Sequence, residues 1–248
     1  MEARLITIHA HGPCQAIIGP PGGDGPLRLG EARLCYATLE RLSVRRDAYA
    51  ALLDEEERQR AARFRFARDR ERYILGHGYL RETLARLTGT DPAALRFERG
   101  EFGKPTLVGH ELRFNFSDTK DAVLVGATLG QEIGVDVETM DREVSHLNVA
   151  HHYFTPEEIG ELADDAASKR RFLELWTRKE AVLKASGVGI TDDLRALRVN
   201  ADINTVRFGH GDLQRMAADA YHVSTWRLDE ARIASVALER NAEVVIAG

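Results

Sequence analysis

Cysteine is nearly missing from this chain: Cys14 and Cys35 are the only two among 248 residues. A single pair so placed offers neither a disulfide framework nor the Cys/His spacing of a zinc site, and it suits a reducing cytoplasm. Long hydrophobic runs are missing as well. Nowhere do about 18 apolar residues follow one another, and the opening Met-Glu-Ala-Arg-Leu-Ile-Thr-Ile has no continuous apolar stretch of the secretory kind. The expectation is a protein that neither spans a membrane nor is exported. There is no basic excess either. A formal net charge of −5 argues against tracking of nucleic-acid phosphates, so any positive site has to be local. No internal repeat or low-complexity tract is evident.

What is present is ordinary globular composition, 44% hydrophobic and 29% charged. The length allows one large domain or two of common size. Residues 11–30 carry Pro20-Pro21-Gly22-Gly23 and Asp24-Gly25-Pro26, turn formers that predict a surface loop. Residues 33–39 alternate like a strand. Asp54 and Glu57 form the cap pattern of a helix over 54–66, and Tyr73, Leu80, Leu84 and Leu87 keep helical spacing over 69–87, closed by Gly89 and Pro92. Three strands are predicted at 112–116, 122–129 and 133–137. Thr155-Pro156 opens a short helix, and 168–186 forms a longer one ended by Gly187. Short runs at 194–199, 205–208, 221–226, 233–238 and 244–246 fit an antiparallel sheet. The order of elements points to the α+β class.

Chemistry concentrates in Gly134-Val135-Asp136-Val137-Glu138. Residues i and i+2 of a strand share a face, so Asp136 and Glu138 point together. Adjacent carboxylates repel unless a cation lies between them, and hard oxygen donors suit magnesium with substrate phosphate in its shell. The same pentapeptide also fits an exposed edge strand with alternating acids. In Trp176-Thr-Arg-Lys179-Glu180-Ala-Val-Leu-Lys184, residues 176, 180 and 184 lie along one helical face. Glu180 can complete a metal shell or take a proton, and Lys184 can neutralise phosphate charge. A plain i,i+4 surface pair with Trp176 in the core is the alternative. His9, His11, His151 and His152 lack a completing ligand set and read as structural or surface. Gly76-His77-Gly78 and Gly187-Val188-Gly189 lack the strand context of nucleotide loops.

Taken in order, these motifs resemble the Sfp-type 4′-phosphopantetheinyl transferases, whose signature is Gly-x-Asp-x-Glu followed about forty residues on by Trp-x-x-Lys-Glu-x-x-x-Lys. Phe102-Gly103-Lys104-Pro105, Phe114-Asn115-Phe116-Ser117 and Arg72-Tyr-Ile-Leu-Gly76 extend the likeness over roughly residues 54–190. The resemblance implies two similar α+β halves related by a pseudo-twofold, with coenzyme A between them. Residues 1–115 would form the nucleotide-binding side and 116–248 the metal and catalytic side, with the boundary within 109–121.

It further implies that Asp136, Glu138 and Glu180 hold Mg2+ against the coenzyme A pyrophosphate, that Glu180 is the favoured general base, and that Lys184 stands at the phosphates. Lys179 is a motif residue outside the catalytic set. Of the seven arginines between Arg58 and Arg72, family position selects Arg60 and Arg72 for the 3′-phosphate, the others being solvated or paired. Lys104 and Pro105 would border the adenine nucleotide, with Lys104 facing a phosphate. Ser117 and Asp118 would neighbour the site. At Asp118 the family commonly has a phosphate-contacting histidine, and at Glu57 it often has a basic residue. The implied partner is an apo acyl or peptidyl carrier protein, and the implied state a cytoplasmic monomer. A non-catalytic homologue that binds coenzyme A or carrier protein, and a metal-dependent nuclease, are the rival readings.

Overall fold

Two long helices organise the chain. The computed structural model describes residues 4–21, 25–141, 145–162, 166–188, 194–207 and 211–248. Its elements are β1 (Leu5–Gln15), β2 (Ile18–Gly19), β3 (Glu31–Thr38), α1 (Leu39–Ser43), α2 (Arg46–Leu52), α3 (Glu55–Ala62), α4 (Ala67–Thr88), β4 (Phe97–Arg99) and β5 (Pro105–Leu107). They continue as β6 (Leu112–Asp118), β7 (Ala122–Leu129), β8 (Ile133–Thr139), α5 (His146–Tyr153), α6 (Pro156–Gly160), α7 (Ala166–Ser186), β9 (Ile203–Arg207), α8 (Gly211–Met216), β10 (Ala220–Arg227), β11 (Arg232–Leu238) and β12 (Glu243–Ala247).

The strands build two five-stranded sheets, ordered β2-β12-β3-β7-β6 and β8-β11-β10-β1-β9. Period-2 alternation gives each sheet two apolar faces. Leu34 and Leu124 of the first sheet meet Val135, Val137 and Val236 of the second in a shared central core, while Cys35 and Val125 turn outward to Leu80 and Leu84 of α4. On the far side, α7 lays Leu173, Ala181 and Leu183 over Ile6, Ile8 and Val223. The layers therefore run α4, sheet, sheet, α7.

The pseudo-twofold is visible in this arrangement: β3-β7-β6 under α4 repeats as β8-β11-β10 under α7, with antiparallel pairing in both. It extends to single residues. Asp54 and Glu57 make a capping box on α3, and Glu57 accepts a 2.6 Å hydrogen bond from fully buried Arg81 of α4. Thr155 and Glu158 make the equivalent box on α6, and Glu158 pairs at 2.8 Å with fully buried Lys179 of α7. Each long helix is thus tied to the short helix before it by a buried cation on a capping glutamate.

Several expectations change. The predicted loop over 11–30 is strand as far as Gln15, where β1 runs parallel to β10, and again at Ile18–Gly19, where β2 pairs with β12; residues 22–24 lie outside the described ones. The later strands do not form a purely antiparallel sheet: β1 pairs parallel with β10, and β12 with β3. Residues 194–199 are not a strand. Leu194–Ala196 is a 3-10 turn, and the carbonyls of Leu194 and Leu197 accept from the Lys179 ammonium at 3.1 and 2.5 Å instead of entering a ladder. Phe208 and Gly189 lie outside the described residues. Strand β6 runs across the position between residues 115 and 116 and pairs along its length with β7, so the first sheet continues to Leu129. The sheets also exchange ends, since β1 lies in the second and β12 in the first.

Candidate active site

The glycine of the Gly134-Val135-Asp136-Val137-Glu138 run has a steric reason. A Cβ on Gly134 would lie 2.0 Å from the Ala181 carbonyl oxygen and 2.3 Å from the Ala185 nitrogen, so α7 crosses β8 with backbone against backbone. That crossing brings the third turn-mate of the helix motif onto the strand motif. Lys184 Nζ lies 2.7 Å from Asp136 Oδ1. Ser117 completes the triangle: its hydroxyl donates to Asp136 Oδ1 at 2.9 Å and accepts from Lys184 Nζ at 3.1 Å and from the Val137 N–H at 3.3 Å. One donor and two acceptor sites are all a serine has, and all are used.

Strand β8 is the edge of its sheet, yet every residue in it is buried. Its free N–H groups meet side chains of β6: Val135 N–H donates to Asn115 Oδ1 at 2.9 Å, and Val137 N–H to Ser117. The exposed-edge reading of the pentapeptide therefore fails, and the Asn115/Ser117 pair shows how the two sheets are joined at the site. Behind the carboxylate row a chain of buried hydroxyls fixes α7 to the sheet: Arg178 Nε donates to Thr225 Oγ1 at 3.1 Å, and Thr225, Ser235 and Thr177 follow at 2.9 and 2.8 Å.

Asp136, Glu138 and Glu180 are 6%, 8% and 8% exposed, on the facing surfaces of β8 and α7. Their hard oxygen donors suit a divalent cation, and Asp136 Oδ2 is buried without a hydrogen-bond partner, so the residues fit such an ion. Among the described residues no three His, Cys, Asp or Glu side chains already converge as a metal-holding group. Asp136 Oδ1 is instead engaged by Lys184.

A cleft leads away from this triangle in three connected cavities. The first, about 210 Å³, is lined by Lys104, Pro105, Asn115 and Lys184. Pro105 also lines the second, about 310 Å³, which reaches Arg60, Tyr73, His77 and Arg99. The third, about 170 Å³, shares Arg60, Tyr73 and His77 and adds Arg72, Asp69 and Asp118. Lys104 and Lys184 thus stand at one end and Arg60 and Arg72 at the other, the latter beside Asp69 and Asp118, while Asp54, Glu56 and Glu57 also line the second cavity. Arg60 lies over the Tyr73 ring at 5.8 Å and has no carboxylate partner among the described residues. Arg72 is paired with Asp118 at 3.2 Å. Burial raises the Asp118 carboxyl above its ordinary range, against the pull of Arg72 and Lys184, although 38% of its side chain still meets solvent.

Lys104 is placed differently from the phosphate-facing position that its motif implies. Its ammonium contacts Glu132 Oε2 at 2.6 Å and the carbonyls of Ile133 and Ala185 at 3.0 Å each. Those three acceptors match its three donors. Burial lowers its pKa while Glu132 opposes the shift. It ties the turn before β5 to both β8 and the end of α7. Lys179, also in the motif, faces the core rather than the cleft, where burial pushes its ammonium pKa down.

Two family models match this chain: one described as the 4′-phosphopantetheinyl transferase superfamily over residues 132–237, the other as the N-terminal part of a 4′-phosphopantetheinyl transferase over residues 44–130. A Synechocystis sp. protein provisionally named 4′-phosphopantetheinyl transferase is 35% identical over 185 residues, 73% of this chain and 72% of its own length. A Thraustochytrium sp. phosphopantetheinyl transferase is 30% identical over 206 residues, 77% of this chain and 71% of its own. The chain belongs to the 4′-phosphopantetheinyl transferase superfamily. The Bacillus subtilis 4′-phosphopantetheinyl transferase Sfp is 28% identical over 156 residues, 62% of this chain and 68% of its own.

In this transferase family member, sequence reasoning missed four cleft residues. Tyr73 and His77 sit four apart on α4, stack at 3.8 Å and separate Arg60 from the core. Their spacing was visible but reads equally well as core. Arg99 comes from β4 and Asn115 from β6, and only the tertiary structure aims them into the cleft. Glu57, where the family often has a basic residue, is occupied by the α3 capping box and Arg81. Most of the other arginines are surface groups as expected, with Arg58 on Glu55 and Arg68 on Asp69.

Proposed function

We propose that the chain transfers the 4′-phosphopantetheine arm of coenzyme A to a serine of an apo acyl or peptidyl carrier protein, with Mg2+, releasing adenosine 3′,5′-bisphosphate. The observation that carries this reading is the Ser117–Asp136–Lys184 triangle at the β8/α7 crossing, opening on a cleft with Arg60 and Arg72 at its far end. Asp136, Glu138 and Glu180 would hold the magnesium ion, which supplies charge neutralisation at the pyrophosphate.

Glu180 takes the proton of the carrier serine hydroxyl. The serine oxygen forms its bond to the phosphorus next to the pantetheine arm, while the bond from that phosphorus to the bridging pyrophosphate oxygen breaks. Lys184, whose side chain is 26% exposed, is positioned to stabilise the negative charge leaving on the nucleotide. Arg60 and Arg72 hold the coenzyme's 3′-phosphate, and guanidinium groups suit it by bidentate geometry. Pro105 and the alkyl stem of Lys104 form the wall beside the nucleotide. No described helix is long and apolar enough to cross a membrane, and we place the protein in the cytoplasm as a monomer.

The test is to mix protein, apo-carrier, coenzyme A and Mg2+ and weigh the carrier. A phosphopantetheine-sized gain is expected; its absence across several acyl and peptidyl carriers would sink the transferase. The Lys184 ammonium on Asp136 Oδ1, a carboxylate proposed for the metal, favours one second reading, a homologue that binds coenzyme A without transfer. Transfer by the wild type separates the two, and Glu180→Gln should then abolish it while coenzyme A binding and the fold persist.

A further inference from the structure

The guanidinium end of the cleft carries its own acid. Its 170 Å³ cavity is lined by two arginines, Arg60 and Arg72, and by two aspartates, Asp69 and Asp118. Asp69 lies 3.6 Å from Arg68, an exposed arginine of the same helix end. Asp118 is different: it comes from the end of β6, reaches α4 and holds Arg72 Nε at 3.2 Å. Lys184 and Asp136 are both near enough to act on its charge. Arg72 is therefore the cleft arginine with an internal counter-ion, whereas Arg60 has only the Tyr73 ring.

We propose that Asp118 is a specificity-determining residue, a built-in counter-ion that competes with the substrate's phosphomonoester for Arg72 and so weakens selection for that group. The inference rests on the coenzyme A reading above. A dianionic phosphate approaching Arg72 must displace a carboxylate or sit beside one, and like charges held together oppose binding. A substrate lacking that phosphate leaves the Arg72–Asp118 pair intact. Asp118 thus narrows the difference between coenzyme A and its 3′-dephospho form without touching the reacting atoms.

Steady-state transfer with both coenzymes tests this in the wild type, Asp118→Asn, Asp118→Ala, Arg72→Gln and the Arg72→Gln/Asp118→Asn double variant. Asp118→Asn should lower KM for coenzyme A by about fivefold, the scale of a half-exposed ion pair, and leave KM for the 3′-dephospho form unchanged. The widened ratio should vanish when Arg72 is already Gln. Asp118→Ala guards against an asparagine that still bonds Arg72. An unchanged ratio in both Asp118 variants, equal changes for both coenzymes, or a raised KM for coenzyme A would overturn the proposal. If no variant transfers either coenzyme, the transferase reading has failed. Calorimetric binding of adenosine 3′,5′-bisphosphate against adenosine 5′-monophosphate then decides this one, on the same expected pattern, and no binding of either nucleotide overturns it.

Discussion

The first half of the molecule places a 22-residue helix, α4, over β3-β7-β6, and the second a 21-residue helix, α7, over β8-β11-β10. The frames match, but what each helix offers the cleft does not. From α4 come Arg72, Tyr73 and His77, a cation beside a wall of rings; from α7 come Glu180 and Lys184, facing the carboxylates of β8. The cation buried at the root of each helix differs too. Arg81 shares its charge between Asp54 and Glu57, whose side chains are 35% and 12% exposed, whereas Lys179 and Glu158 are both fully buried. A repeated scaffold therefore presents different groups on its two copies; under the proposed transfer, recognition would fall to the first and acid–base chemistry to the second, whose buried ion pair is the drier one.

The strongest way to break that division is to remove charge from the second half alone. Asp136→Asn should cut transfer by about a hundredfold or more, with KM for coenzyme A changed far less, in a kcat and KM measurement on carrier protein. Comparable losses from Arg60→Gln in kcat would instead merge the two roles. Next come the buried cations. Lys179→Ala leaves Glu158 uncompensated and should cost about 3–5 kcal/mol in urea unfolding, more than Arg81→Ala, whose carboxylates keep some water.

In the first half, burial depresses the His77 pKa from 6.5 to about 4. A histidine held neutral stabilises the fold fully above its unfolded pKa, and that stability is lost as pH falls through the window from 6.5 to about 4. The loss should approach about 3 kcal/mol, and His77→Gln should flatten the acid limb of a stability-versus-pH curve. The smallest effect concerns the tie between the halves. Lys104→Met should lower stability by about 1–3 kcal/mol while leaving KM for coenzyme A near wild type, because its ammonium faces Glu132 and two carbonyls. A large rise in that KM would return Lys104 to the phosphates.

The parts that could be read from the sequence were those set by local periodicity. The capping pattern at Asp54 and Glu57, the stops at Gly89 and Gly187, and the two-residue step from Asp136 to Glu138 each follow from neighbours a few positions away. Pairings between distant residues left no such trace. The reach of strand β1 through Gln15 was hidden because its partner there, β10, lies near the other end of the chain. The run at 194–199 has strand-like residues, yet the Lys179 ammonium claims its carbonyls. Lys104 sits in a family motif, but only tertiary packing shows Glu132 and Ala185 beside it. Asp118 was conspicuous as a residue, while its partner Arg72 became evident only once α4 and β6 were placed together.

The exchange of end strands has a consequence for biosynthesis. Because β12 lies between β2 and β3 in the first sheet, and β1 between β10 and β9 in the second, neither sheet can close until residues 220–247 have left the ribosome. An emerging chain would hold α4 and β3, β6 and β7 together with an unfilled edge at β3, a surface open to mispairing. A nick after Gly130 would give two pieces that each lack a strand of their own sheet, and they could regain structure only by finding each other.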